Sequence, residues 1–382
     1  MQPCGAVRAP GICQDVDRVG PKCVTMLVPR KSVELCKDAF EDSYEVENEL
    51  GRGKFGVVRL CSNKKTGQKY AAKYIRKQRG ARGVCMTDIK REMDVMNTLN
   101  SNRFVMSLFD AYESPTNVIF VMDLISGGEL FEHLAEIECL TEEKTISFTW
   151  QMLEALGAVH KCNIVHLDVK PENLMLRDQS KNELVLIDFG VARDLGNGEI
   201  CCMQGTPEFV APEVIAYDPL TCAADMWSLG VVIYIMLSGI SPFLGDNDSE
   251  TYANISEEDY EFDEDYFGAL SEDSLDFLEK LLVKDPKKRM NVEECKKHPW
   301  ILNAEKRSSN IIDTSRLRSF NARRKLKACF NAVRGSIKLR RSLTKILVPC
   351  ELKQLDATSA TDSSPSQSSV SDDSISPTNN SC

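Results

Sequence analysis

The chain has 382 residues, 42% hydrophobic and 27% charged, the balance of a globular protein with room for one large bilobal domain or two to three smaller ones. Its formal charge is −10, which argues against general nucleic-acid binding. The longest apolar run, about Leu229–Leu237, falls far short of the ~20 residues that cross a bilayer, so no transmembrane segment is expected.

Residues 1–43 are rich in Pro, Gly and Cys without periodicity and predict a loosely ordered, flexible N-terminal extension. No charged-then-apolar leader pattern is present there. From Tyr44 the pattern becomes strand-like: Val46–Leu50, Val57–Cys61 and Tyr70–Ile75 are β-prone runs separated by turns. Met86–Leu99 has helical spacing, with Ile89, Met93, Met96 and Leu99 on one face. Phe104–Tyr112 and Val118–Met122 predict two further strands. After Gly127-Gly128 the text is helical over Leu130–Ala135, Thr141–His160, Ala223–Ser238 and Ser271–Val283. Thr141 and Ser271, each followed by acidic residues, predict helix starts. Strands with one helix, then mostly helices, make an α+β chain with two unequal lobes meeting near Gly127. From Ala357 the chain is Ser, Thr, Asp and Pro with almost no large apolar residue, a composition that predicts disorder. The 15 cysteines are odd in number and lack metal-ligand spacing. They read as reduced thiols of a cytoplasmic protein, with nuclear entry left open. Cys201-Cys202 is the adjacent pair for which a redox role is the alternative.

The chemistry-bearing residues fall into two groups. Gly51-Arg52-Gly53-Lys54-Phe55-Gly56-Val57-Val58 joins the first two strands, and its glycines would let backbone N–H groups approach phosphate oxygens. A plain strand–glycine–strand turn is the competing reading, and the strand that follows argues against a dinucleotide fold. Lys73, after Ala71-Ala72 on the third strand, could hold the α and β phosphates, with Glu92 of the following helix as its partner. Further on, Val165–Asn173 packs a carboxylate, an ammonium and an amide into one loop. Asp168 could orient and deprotonate an attacking hydroxyl, Lys170 neutralise the transferring phosphoryl group, and Asn173 ligate a metal. Leu184–Ile187 reads as a buried strand ending in Asp188-Phe189-Gly190, with Asp188 a hard oxygen ligand for Mg²⁺. Such parts suit phosphoryl transfer, which depends on positioning and charge neutralisation.

These motifs, with Ala211-Pro212-Glu213, resemble the signature set of protein kinases over about Tyr44–Ile301. Lys170, two positions after the aspartate, is typical of Ser/Thr kinases. Gly205–Glu213, Asp225–Ser228, Ser241–Asp246, Leu281–Met290, Tyr260–Phe262 and the sparse basic stretch Arg76–Gly83 resemble the death-associated protein kinases, within the calmodulin-dependent and myosin light-chain kinase group. The resemblance implies a bilobal protein-kinase-like fold. Its kinase domain is 44–301, with a small β-rich N-lobe (44–123) carrying one helix and a larger helical C-lobe (126–301). It also implies ATP and Mg²⁺ as cofactors. Gly51, Gly53, Gly56, Val58, Ala71 and Lys73 would line the nucleotide site, and Met122, Asp123 and Ile125 would meet the adenine. Glu129 would meet a ribose hydroxyl or a basic substrate side chain. His166 is expected to pack and bond to backbone, Thr206 to bond Asp168 and Lys170, Asp225 to hold the catalytic loop, and Glu213 to pair with Arg289.

Two departures agree with each other. Leu167 stands where most kinases carry an arginine that pairs with an activation-segment phosphate, and Val191–Gln204 contains no Ser, Thr or Tyr. Phosphorylation of that stretch is therefore not the expected switch. The switch is sought instead in Arg316–Lys345, which holds eleven Lys or Arg and no Asp or Glu, leaving −21 on the rest of the chain. Within it Leu326, Phe330, Val333 and Ile337 fall on one helical face. Such a basic amphipathic helix is expected to bind calmodulin and to act as an autoinhibitory pseudosubstrate within a segment 302–348, before a Ser-rich tail, 349–382. Gly335 weakens the helix, and Cys329 occupies the place of the family's inhibitory serine. Membrane or cytoskeletal docking of the segment, and a pseudokinase scaffold, are the alternatives. The expected substrates are basic Ser/Thr proteins, with myosin regulatory light chain among the candidates, and the expected pathway is cell-death and cytoskeletal signalling.

Overall fold

The computed structural model describes residues 32–53, 56–78, 83–100, 102–307 and 309–327. The chain divides into one unit ending at Arg323 and a second beginning at Arg324. Within the first, a sheet and a helix form a small lobe, and the remaining helices form a large one.

The small lobe is a six-stranded sheet: β1 (Leu35–Cys36), β2 (Tyr44–Gly53), β3 (Gly56–Asn63), β4 (Lys69–Arg76), β5 (Leu108–Glu113) and β6 (Asn117–Met122). The strands lie in the order β1-β5-β6-β4-β3-β2, with β1 parallel to β5 and the other neighbours antiparallel. Alternation along β4 sends Ala71 and Ile75 to the inner face and Ala72 to the outer. The inner face packs against α2 (Met86–Leu99), through Ile89, Val95, Met96 and Leu99. The outer face builds a second, smaller core of Cys61, Ala72, Ile119 and Val121, closed by Phe40 and Tyr44.

That closure differs from the sequence expectation of a loose extension over 1–43. A short helix, α1 (Phe40–Ser43), buries Phe40, whose ring lies 5.2 Å from Tyr44 and 5.4 Å from Tyr112. The strand expected from Phe104 begins only at Leu108. The residues before it spend their hydrogen bonds on the large lobe, Met106 N–H donating to Leu186 O (3.0 Å) and Leu186 N–H to Phe104 O (2.8 Å).

In the large lobe the chain passes through α3 (Leu130–Glu136), β7 (Leu140–Thr141), α4 (Glu142–Lys161), β8 (Ile164–Val165), β9 (Leu174–Leu176), β10 (Leu184–Leu186) and β11 (Arg193–Asp194). Then come α5 (Pro212–Ile215), α6 (Ala223–Ser238), α7 (Asp248–Glu257), α8 (Glu264–Phe267), α9 (Glu272–Leu281), α10 (Val292–Lys297) and α11 (Pro299–Leu302). The helix α6, mostly apolar on every side, is buried from Ala224 to Ser238, which makes it the axis of the lobe. It ends at Gly239, left-handed at φ 74°, where a β-carbon would stand 2.5 Å from Arg316 Cβ. Thr141 caps α4 by accepting from Lys144 N–H at 3.2 Å. Ser271 does not cap its own helix. It donates its hydroxyl to Glu142, a fully buried carboxylate that also accepts from Trp300 Nε1 (2.6 Å) and Asn310 Nδ2 (2.7 Å).

The lobe does not stop at Ile301. β12 (Ile311–Ile312) pairs with β7, and a last helix, α12 (residues 314–327), follows. Leu317 and Phe320 of α12 are buried, Phe320 against Phe131 with ring centroids 6.0 Å apart. Arg318 Nε donates to Ala135 O (2.8 Å) and Asn321 Nδ2 to Phe131 O (2.7 Å), so both bond carbonyls of α3. Arg316 stacks over Tyr266 at 4.2 Å and donates to Asp265 O at 2.9 Å. The first charges of the basic segment are thus committed to docking on the large lobe.

Candidate active site between the lobes

The small lobe contributes a glycine turn and a lysine. β2 and β3 pair as far as Gly53 opposite Gly56, with Lys54 and Phe55 outside the described residues. Gly56 is required by the protein itself, since a β-carbon there would stand 1.8 Å from Tyr74 O. Gly51 and Gly53 are different: a β-carbon at either would meet nothing within 4 Å. Among the described residues their smallness has no packing reason, and it fits an approach by a phosphate chain. Lys73 sits on β4 between Val58 of β3 and Phe120 of β6. Its ammonium lies 2.6 Å from Glu92 Oε1 and 3.3 Å from Asp188 Oδ1. Burial alone would push the lysine towards neutrality, but the Glu92 and Asp188 carboxylates outweigh it and hold the pKa above the ordinary value.

The large lobe contributes a loop fixed from below. Asp225, fully buried in the first turn of α6, accepts from His166 N–H and Leu167 N–H, both at 2.8 Å, and bonds His160 Nε2 at 2.8 Å. Those bonds hold Leu167 in a left-handed conformation, φ 64°, which turns the chain sharply before Asp168. His166 accepts from Asp168 N–H at Nδ1 (3.2 Å) and meets Ile187 O through Nε2 (3.1 Å), which assigns the neutral tautomer with its proton on Nε2. It therefore joins the two loops as a packed histidine, with the Phe189 ring 4.8 Å away.

Around Asp168, Lys170 Nζ lies 2.6 Å from Oδ2 and Thr206 Oγ1 donates to Oδ1 at 2.8 Å. Lys170 Nζ also donates to Thr206 Oγ1 at 2.9 Å. Asn173 Nδ2 donates to Asp168 O (2.8 Å) and Oδ2 (3.2 Å), which leaves its oxygen as the group able to meet a cation. Asp188 follows β10 with φ 63°. Burial opposes its charge, but Lys73 overrides that and keeps its carboxyl below the usual range. A carboxylate and an amide oxygen are donors suited to Mg²⁺, and Ile187 N–H donates to Asn173 O at 3.0 Å, which ties together the two chain segments that carry them.

The lobes join at Met122–Ile125. Met122 ends β6 opposite Ala71 and is buried, as Ala71 is. Asp123 N–H donates to Ser107 O at 3.2 Å, so its carbonyl is the backbone group left for an adenine edge. Glu129 stands at the N-cap of α3 and bridges to Met175 of β9. Below the site, Arg289 makes a two-pronged pair with Glu213 (2.7 and 3.0 Å) and donates to Ala223 O at 2.7 Å. Of the proposed regulatory residues, Leu326 belongs to the second unit and is exposed, while Phe330, Val333 and Ile337 lie outside the described residues.

Residues beyond the sequence motifs also serve the site. His160 supports Asp225, and nothing in its surroundings in the sequence distinguishes it from any histidine near a helix end. Asn97 and Asn100, at the end of the helix that carries Glu92, bond backbone outside that helix.

The protein kinase domain family matches residues 44–301. The chain is 44% identical over 317 residues to death-associated protein kinase 2 of Mus musculus, covering 80% of this chain and 85% of that protein. It is 45% identical over 316 residues to death-associated protein kinase dapk-1 of Caenorhabditis elegans, again over 80% of this chain, but spans only 22% of that relative's length. Among solved structures, a twitchin kinase fragment of C. elegans, described as an autoregulated protein kinase with immunoglobulin domains, superposes with a TM-score of 0.72 at 37% identity. That match covers 79% of this chain and 67% of the fragment.

Proposed function

The chain belongs to the protein kinase domain family and within it to the death-associated protein kinases, and on that footing we propose which residues carry its reaction and what switches it. It is a protein serine/threonine kinase. In the proposed mechanism Asp168 accepts the proton of the substrate hydroxyl and aims its oxygen, and Lys170 offsets charge on the phosphoryl group in flight. Thr206 keeps these two side chains in register. Lys73 holds the nucleotide phosphates and Glu92 fixes Lys73, while Asn173 and Asp188 would hold Mg²⁺. Held there, it would supply positive charge against the nucleotide phosphates. Gly51, Gly53, Val58, Ala71, Met122, Asp123 and Ile125 would surround the nucleotide. The observation that carries this reading is the convergence on Asp168 of Lys170, Thr206 and Asn173, opposite a Lys73 set between Glu92 and Asp188.

For regulation we propose that the basic segment beyond Arg323 imitates a basic substrate and occupies the acidic cleft until calcium–calmodulin removes it. Its eight Lys or Arg up to Lys345, against −18 on the rest of the chain, support this, as does the likeness to the twitchin fragment, an autoregulated protein kinase. Basic Ser/Thr proteins of the cytoplasm, myosin regulatory light chain among them, are the proposed substrates, and cell-death signalling the proposed pathway. The test is transfer to a Ser/Thr peptide library with and without calcium–calmodulin, using Asp188→Ala as control. Transfer that survives in the control would sink the catalytic assignment. The regulatory half is tested on a chain ending at Arg323, since an earlier end would strip the buried Leu317 and Phe320. That chain should be active without calmodulin; an unchanged calmodulin response would refute the switch.

A further inference from the structure

The C-terminal turn of α2 is tied by two side-chain amides, each of which bonds one backbone residue with both its groups. Asn100 Nδ2 donates to Leu108 O (2.8 Å) and its oxygen accepts from Leu108 N–H (3.2 Å), joining the helix to β5. Asn97 does the same to the N-terminal segment: its oxygen accepts from Val33 N–H (2.8 Å) and its Nδ2 donates to Val33 O (2.9 Å). Two residues later that segment becomes β1 and pairs with β5, Leu35 opposite Ala111 and Cys36 opposite Tyr112. Helix end, strand and N-terminal segment therefore form a closed triangle, two of whose sides are pairs of amide hydrogen bonds and the third the parallel pairing of β1 with β5. Glu92 lies on the same helix, five residues before Asn97, and its 2.6 Å contact with Lys73 depends on where that helix sits.

We propose that residues 33–36 are a strap that positions the Lys73–Glu92 pair, with Asn97 as its latch. The strap lies ahead of the span matched to the kinase family, so the catalytic geometry of this chain draws on residues outside that span. Without the strap, β5 becomes a bare sheet edge and half-buried Asn97 loses both its partners, so α2 keeps one anchor where it had two. The cost falls on turnover, because displacing a catalytic group by about 1 Å can cost up to about 10²-fold in rate. The inference rests on Lys73 and Glu92 serving the reaction as proposed above. Hydrogen exchange of α2 reads the strap without catalysis and so separates the failure of one from the failure of the other.

Five proteins test it: the full chain, a chain beginning at Ser32, a chain beginning at Ala39, the full chain with Asn97→Ala, and the Ala39 chain with Asn97→Ala. Starting at Ser32 should change nothing. Starting at Ala39 and Asn97→Ala should each lower kcat roughly tenfold or more and speed exchange over 86–96, with peptide KM within about twofold. Asn97→Ala within the Ala39 chain should cost nothing further, because both changes remove the same bonds. Unaltered kcat and exchange in Asn97→Ala, or losses that add, would overturn the proposal. If the Ala39 chain fails to fold, Asn97→Ala in the full chain decides alone.

Discussion

In the large lobe Asp168 is held by Lys170, Thr206 and Asn173, on a loop whose preceding turn hangs from a fully buried Asp225, while in the small lobe Lys73 has one carboxylate of its own lobe, Glu92 on a single helix, and meets Asp188 of the large lobe at 3.3 Å. The first half is over-determined: loss of any one bond leaves others that define the same place. The second has a single support within its own lobe, so the Lys73–Glu92 geometry follows whatever moves α2.

The contrast can be broken or sharpened by four measurements. Asp168→Asn keeps the shape of the large-lobe half and removes the proposed base; kcat should fall by roughly 10²–10⁴-fold with melting temperature unchanged. Single-turnover transfer at near wild-type rate would show that Asp168 is not the base. Arg289→Ala attacks the foundation instead. It strands Glu213 in the interior, and unfolding in urea should show a loss of about 3–5 kcal/mol. A shift under about 1 kcal/mol would mean the pair is no part of what holds the loop. Thr206→Ala removes one bond from each of Asp168 and Lys170. If the large-lobe half is over-determined, kcat should drop by only about tenfold, the equivalent of one hydrogen bond, and Thr206→Ser should recover most of it.

The smallest effect is on pH dependence, and it leaves the site untouched. Burial holds the His298 imidazole below its usual range, against the pull of Asp276. The neutral ring meets Asp276 through Nε2 (2.8 Å) and accepts from Trp300 N–H at Nδ1 (3.2 Å), a bond the protonated ring cannot make. The unfolded chain therefore takes up a proton more readily than the folded one. Its contribution to stability should be complete above the ordinary histidine pKa of ~6.5 and decline as pH falls below it. His298→Gln should flatten the melting temperature between about pH 7 and 5, with a residual slope from His133, which burial also lowers. An unchanged slope would exclude His298.

Much of the site was legible in the sequence because its chemistry is local. Asp168, Lys170 and Asn173 fall within one short loop, and the glycine turn lies between two alternating strands. The helices Met86–Leu99 and Ala223–Ser238 read to the residue, one by its apolar stripe and the other by its long apolar run after Asp225. The rest was hidden by distance. β1 is two residues long and its partner lies 76 residues away, so no periodicity can announce it. Phe40 is one aromatic residue in a Pro- and Gly-rich stretch, and only the assembled outer face of the sheet gives it a purpose. Asn97 is a polar residue on a helix, indistinguishable in sequence from a solvated one. Leu317 and Phe320 sit among arginines, which drew the whole of Arg316–Lys345 into a single basic segment when its first turns belong to the large lobe.

The Glu142 carboxylate has a consequence for how the chain folds. Its donors lie 129, 158 and 168 residues further along, at Ser271, Trp300 and Asn310. A charge so placed cannot leave water until all three have arrived, so the step that buries it comes late and gathers both ends of the large lobe at once. On the ribosome, the lobe must wait for residues past 310 before its interior can close, and until then α4 carries an open carboxylate at its leading turn. The part of the chain that joins the fold last is then the part that leads directly into the basic segment.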